Sequence, residues 1–288
     1  VIAPSGSDRE TLETVLAACD NRGRWSDRHR GTLNLADDAA VLRGIAQVRH
    51  GVIVPLAVPL EATADEQSDV VLLTWREQAA LVERLEVEIH GFSVTHVDAV
   101  GHNSLFGKVF TGSPVSEAYG ATGLGAGSVD ALDPVLVRAV LLDVAAASGQ
   151  DSLPTGTRIG AVDLDRALAA AGGVLEPGDA VVVRTGMPVP RDETIGLDLS
   201  AIRWLRHHDV CLYAGDCIEA LPSGIDSVPL PLHQIGQARM GLVILDNPDV
   251  ERLAAACARF GTRLFALSVS PLPVLGGTGS PVAPFAIF

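Results

Sequence analysis

The segment FSVTHVDAVGH, residues 92–102, sets His96, Asp98 and His102 in an H-x-D-x3-H spacing. A neutral imidazole and a carboxylate suit a borderline divalent ion such as zinc or manganese. A further imidazole nearby can carry protons at neutral pH. Upstream, LEVEIHGFSVTHVD reads as extended chain, in which Glu86, Glu88, His90, Phe92, His96 and Asp98 share one parity. A straight strand would hold positions 92 and 96 about 13 Å apart at ~3.3 Å per residue. Chelation therefore needs a bend, and Gly91 is placed to make one. Spacing alone leaves metal binding and coincidence both open.

Other candidate motifs have simpler readings. GATGLGAGS, 120–128, follows no convincing strand and lacks Gly-Lys-Ser/Thr, so it reads as a flexible surface loop and not a phosphate cradle. Neither a G-x-S-x-G elbow nor an H-E-x-x-H helix is present. His207 and His208 close an amphipathic helix, where the helix dipole favours them without any catalytic role.

The elements that must position these residues form an α/β pattern. Helices are expected over 8–21, 37–49, 163–172, 198–208 and 249–261, from apolar residues at helical spacing and Asp at several starts. Strands are expected at 51–60, 69–75, 85–90, 137–144, 180–186, 210–216, 241–247 and 263–271, each a β-branched or apolar run bounded by Gly, Pro, Asp or Asn. Residues 21–35 read as a polar loop or arm. With no internal repeat and no low-complexity linker, one domain spanning 1–288 is expected: an N-terminal helical arm and loop over 1–50, then a catalytic core over 51–288.

Composition narrows the partners. A formal charge of −14 and 4% aromatic residues disfavour nucleic acid and anionic membranes and leave a small-molecule substrate. No apolar run is long enough to span a bilayer. Four cysteines without paired spacing read as buried reduced thiols. No signal-peptide pattern opens the chain, which starts on Val, and a cytoplasmic location is expected.

The order of motifs resembles the cyclase family that includes bacterial arylformamidase and isatin hydrolase, in its longer, roughly 300-residue branch. WSDRHRGTLNL (25–35), THVDAVGH (95–102), RAVLLDVAAASG (138–149), LEPGDAVVVRTG (175–186), PLPLHQ (229–234), LVILDN (242–247) and GGTGSPVAPFAIF (276–288) carry it. The resemblance implies a compact, strand-rich swivelling β/β/α fold with a mixed sheet and flanking helices, and a homodimer. It implies His96, Asp98, His233 and Asp246 as metal ligands and His102 as general acid/base, with His96 and Asp98 sharing the catalytic work. His90, Phe92, Trp25 and His29 are the candidate substrate contacts. Two positions depart from the family pattern. Phe92 stands where the family has its first histidine, and Asp246 stands where Glu is usual. His90 could replace the missing ligand if Gly91 turns the chain, or the ion could sit lower, between Asp98, His233 and Asp246.

Three function classes follow. The first is hydrolysis of a small, cyclic or aromatic amide, formamide or lactone by metal-activated water. The second is metal-independent cyclisation, isomerisation or dehydration of a natural-product intermediate by His102, His96 and Asp98, with Phe92 as an apolar wall. The third is a non-catalytic binding protein on an inherited scaffold.

Overall fold

The computed structural model describes residues 11–61, 69–186, 194–217 and 219–288. Its centre is a nine-stranded mixed sheet. In chain order the strands are β1 (Ile53–Pro55), β2 (His96–Asp98), β3 (Val135–Asp143), β4 (Ala180–Arg184), β5 (Leu212–Gly215), β6 (Val243–Asp246), β7 (Leu264–Val269), β8 (Gly279–Pro281) and β9 (Phe285–Ile287). Their spatial order is β1-β9-β7-β3-β4-β5-β6-β2-β8. The run β3-β4-β5-β6 is parallel, and antiparallel strands extend it on both sides. This is the expected α/β fold with a mixed sheet and flanking helices.

The middle strands are mostly apolar, with charged residues confined to Arg138, Asp143, Arg184 and Asp246, because both their faces are covered. Along β3, Ala139 and Leu141 join one buried cluster while Val140 and Leu142 join the other. Helices Asp38–Ile45 and Val250–Phe260 contribute Ala40, Leu253 and Ala256 to the first cluster. Helices Leu12–Ala18, Ala161–Ala170 and Leu199–His207 contribute Val15, Leu164, Ile202 and Leu205 to the second. Four of these helices lie within the spans expected from their spacing, while Ala161–Ala170 starts two residues before the expected 163–172; residues 8–10 of the first expected helix lie outside the described residues.

Three parts of the fold were not foreseen. Leu232–Met240 forms a π-helix rather than loop, ending on Gly241 in the left-handed region at φ 70°. A side chain at Gly241 would meet the Phe110 ring at 2.5 Å. The short strands β2, β8 and β9 are three residues each, too brief to show an apolar period. The glycine-rich 120–128 segment is docked, not free. Gly123 sits where a side chain would meet Gly276 O at 2.3 Å, Leu124 N donates to Gly276 O, and Gly101 N donates to Gly127 O.

The expected continuous strand through LEVEIHGFSVTHVD is also corrected. Strand Ala80–Val87 pairs with Val70–Glu77 as a separate hairpin, and the chain then turns, with Gly91 N donating to Glu88 O. The turn breaks the shared parity: Glu86 and Phe92 are exposed, while His96 and Asp98 are buried. The polar arm at 21–35 contains a short helical turn, Gly31–Leu35, tied to the core through Thr32 Oγ1 donating to Cys211 O.

Candidate metal centre

Strand alternation explains the core of the site. In β2, Thr95 and Val97 face one way, with Val97 in the first core cluster, so His96 and Asp98 face the other. The register sets Asp246 of β6 directly opposite His96. Beyond β2, Gly279 of β8 stands opposite Asp98. Asn247, just past Asp246, uses its Nδ2 to hold the carbonyls of Gly91 and Val94, which fixes the bend before β2.

That bend brings in His90. Its Nδ1 lies 3.0 Å from Asp98 Oδ1, its Nε2 lies 2.9 Å from Thr278 Oγ1, and its ring stacks on His102 at 3.7 Å between centroids. Gly279 makes the room, since a Cβ there would stand 2.8 Å from His90 Cε1. Phe92, by contrast, is 60% exposed and lies at the cavity rim. The histidine two residues before Phe92, and not Phe92 itself, is thus turned toward Asp98.

The π-helix supplies the opposite wall. His233 Nε2 lies 3.2 Å from Asp246 Oδ2 and 3.5 Å from Asp98 Oδ2. Its Nδ1 faces Glu219 Oε1 at 2.8 Å, and the same carboxylate accepts the backbone N–H groups of Leu232 and His233 at the helix start. Glu219 therefore caps the helix and sets the ring in one operation, as a carboxylate behind a ligating histidine does. Gln237, one turn on, donates to Asp98 Oδ2 at 2.7 Å. Neither Glu219 nor Gln237 was identified from the sequence. Glu219 carries no motif, and Gln237 shows its role only once the helix is known to be wound with i→i+5 bonds.

These donor atoms fit a divalent ion. Ligand atoms ~2.1 Å from a tetrahedral ion stand about 3.4 Å apart. His96 Nε2 lies 3.5 Å from Asp98 Oδ1 and 3.7 Å from Asp246 Oδ2. His96 Nδ1 faces Val94 O at 2.9 Å, so Nδ1 carries the proton and Nε2 presents a lone pair. Asp98 Oδ1 and Asp246 Oδ1 are buried without a hydrogen-bond partner. Two sets, His90/Asp98/His102 and His96/Asp98/Asp246, each bring their donor atoms within 4.8 Å of one another, and Asp98 belongs to both.

Electrostatics follow from the crowding. Burial alone would raise the Asp98 carboxyl, but His90, His102, His233 and His96 around it hold it below the ordinary carboxylate range. Burial pushes the His102 ring down to about 4, against the pull of Asp98. Burial also opposes the charged form of His233, but Asp246 and Glu219 on either side raise it well above the usual imidazole range. The charged form of His233 is therefore favoured between these two buried carboxylates.

The structure brings together His90, His96, Asp98, His102, His233 and Asp246 around a cavity of about 200 Å³, with Phe92, Leu221, Leu230, Asn103 and Thr194 also on its wall. It does not bring Trp25 or His29 there. Trp25 packs on the first core cluster beneath the Arg24 guanidinium, and His29 Nδ1 accepts from Gly127 N. His208 packs its ring against Trp204 at the end of its helix, away from the cavity. The four cysteines are buried and form no disulfide with one another.

Comparison with known proteins places the chain in a family and agrees with its fold. The family model described as "Putative cyclase" matches residues 44–220. The chain belongs to the cyclase family. A solved structure described as a novel cyclase superposes with a TM-score of 0.81 at 22% identity, covering 95% of this chain and 99% of its own. Isatin hydrolase A from Labrenzia aggregata, bound to benzyl benzoate, gives 0.57 at 18% identity, covering 84% and 94%. A protein described as a predicted metal-dependent hydrolase from Bacillus stearothermophilus gives 0.50 at 14% identity, covering 82% and 97%. These likenesses show a shared fold. No curated protein sequence matches the chain.

If His90 has taken the place of the absent first ligand, His90→Ala should weaken zinc binding by at least ~10-fold, the scale on which even outer partners of a metal matter. Phe92→Ala should leave zinc affinity unchanged. Competition with a chromophoric chelator measures both, and the opposite ranking would contradict the assignment.

Proposed function

We propose that this cyclase-family chain is a hydrolase that opens a C–N or ester bond in a small amide, formamide, lactam or lactone, with a divalent ion at the cavity floor. The observation that carries the reading is the convergence of His90, His96, Asp98, His233 and Asp246 with two partnerless buried carboxylate oxygens. Zinc or manganese suits this imidazole and carboxylate set. When bound, such an ion polarises the carbonyl and lowers the pKa of a water.

The chain's own residues supply the rest. His102 is neutral above about pH 4, so at neutral pH its ring can take a proton from water and return it to the departing nitrogen or oxygen. Its backbone is held for this: the Tyr119 hydroxyl donates to His102 O at 2.6 Å and to Gly101 O at 2.9 Å. His96 and Asp98 keep the ligand face fixed on one strand. Phe92, Leu221 and Leu230 offer an apolar rim for a flat or cyclic substrate. The chemistry named for the isatin hydrolase and metal-dependent hydrolase neighbours supports the same class of reaction.

A homodimer belongs to the same proposal. Leu72, Leu73, Trp75, Leu81 and Leu85 are exposed on the hairpin Val70–Glu77/Ala80–Val87, and an isolated two-stranded hairpin is marginal in water. A second copy would cover it. Sedimentation at twice the mass of one chain, reverting to one chain in Trp75→Lys, is the expected result; a monomeric parent protein contradicts it.

Turnover of formanilide, lactam and lactone substrates should vanish after chelation and return with Zn²⁺ or Mn²⁺. Full activity of the stripped protein would remove the metal from the reaction and favour direct acid–base chemistry by His102 and His96. His102→Ala should lose ~10²–10⁴-fold in turnover while still binding zinc. The acid limb of the wild-type rate profile should fall near pH 4 rather than 6.5, because lowering the pH through the depressed His102 pKa protonates the base.

A further inference from the structure

The π-helix that delivers His233 delivers a second side chain to the same carboxylate. Gln237 is completely buried, and its Nε2 donates to Asp98 Oδ2 at 2.7 Å. An ionised carboxylate only accepts, so the amide must turn its NH2 toward Asp98 and its oxygen away. That oxygen accepts from Asn103 Nδ2 at 2.9 Å, and Asn103 lines the cavity beside His102. With i→i+5 winding, four residues come close to one full turn. His233 and Gln237 therefore point the same way, and both reach Asp98 Oδ2.

The two oxygens of Asp98 are left unequal. Oδ2 is engaged by Gln237, whereas Oδ1 has no hydrogen-bond partner and stands 3.0 Å from His90 Nδ1 and 3.5 Å from His96 Nε2. A neutral amide does this without cancelling the carboxylate charge that a cation needs, as an Arg or Lys in its place would.

We propose that Gln237, anchored by Asn103, is a positioning residue that pins Asp98 Oδ2 and so presents Oδ1 as the ligand atom for the divalent ion. The inference rests on the metal-dependent reading above. It assigns the Asn103–Gln237–Asp98 chain the task of fixing how the carboxylate meets the ion, by one oxygen and from one direction. A carboxylate freed from that hold can rotate and chelate through both oxygens.

The test uses the full chain and two metal probes, Zn²⁺ and Co²⁺. Gln237→Met keeps the side-chain length and fills the same space without a polar atom at its end. Zinc affinity of Gln237→Met should fall ~10–100-fold, as when an outer partner of a ligand is lost, while the metal-free variant keeps the near-ultraviolet circular dichroism of the parent. The visible spectrum of the Co²⁺ form should weaken, since coordination number rises when Asp98 binds through both oxygens. A packing role alone would leave that spectrum unchanged. Parent-like affinity and spectrum in Gln237→Met would overturn the inference. If that variant does not fold, Asn103→Leu, which removes the anchor from the cavity side, should shift the Co²⁺ spectrum in the same direction, and an unshifted spectrum overturns the inference equally. A parent protein that binds neither ion would overturn the metal reading itself, which is distinguishable from a parent that binds while the variants bind alike.

Discussion

Two carboxylates buried side by side are the constraint on which the arrangement depends. Asp98 and Asp246 are almost wholly removed from solvent on neighbouring strands, and each has one oxygen without a hydrogen-bond partner. Burying an unpaired ionised group costs several kcal/mol even after relaxation. The surrounding residues answer that cost: His90 and His96 on one side, His233 and Gln237 on the other. Between Asp246 and Glu219 the charged form of His233 is favoured.

The need to hold this cage explains features far from it. Glu219 is spent on the start of the π-helix because His233 must present one nitrogen and not the other. Gly279 has no side chain because His90 occupies the space one would take. Asn247 adopts a positive φ of 55° at the end of β6, and its amide clamps the bend that carries His90 inward. The glycine-rich 120–128 segment and Tyr119 brace the turn bearing His102 from outside.

Much of this was legible in the sequence, for identifiable reasons. The central strands announce themselves because a sheet covered on both faces needs near-continuous apolar runs, as in VLVRAVLLD and AVVVR. His96 and Asp98 share a face by the alternation of a strand, which is a local property. The motif order around THVDAVGH pointed to the cyclase family, whose model does match. What the sequence concealed depends on distant contacts. The bend anticipated at Gly91 is made, but the Asn247 amide that clamps it comes from the end of β6, far along the chain. The π-helix has no periodic apolar face, so Gln237 gave no signal. Trp25 and His29 lie in the polar arm, and within one chain Trp25 packs on the first core cluster while His29 Nδ1 accepts from Gly127 N.

The central claim is that these donor atoms hold a divalent ion. Anomalous diffraction from crystals grown with zinc tests it most directly. The account predicts a zinc peak within bonding distance, about 2.0–2.2 Å, of His96 Nε2 and Asp98 Oδ1, with His90 or His233 completing the shell. An ordered cavity that shows no anomalous peak at saturating zinc, with His233 still bridging Asp246 and Glu219, would contradict it.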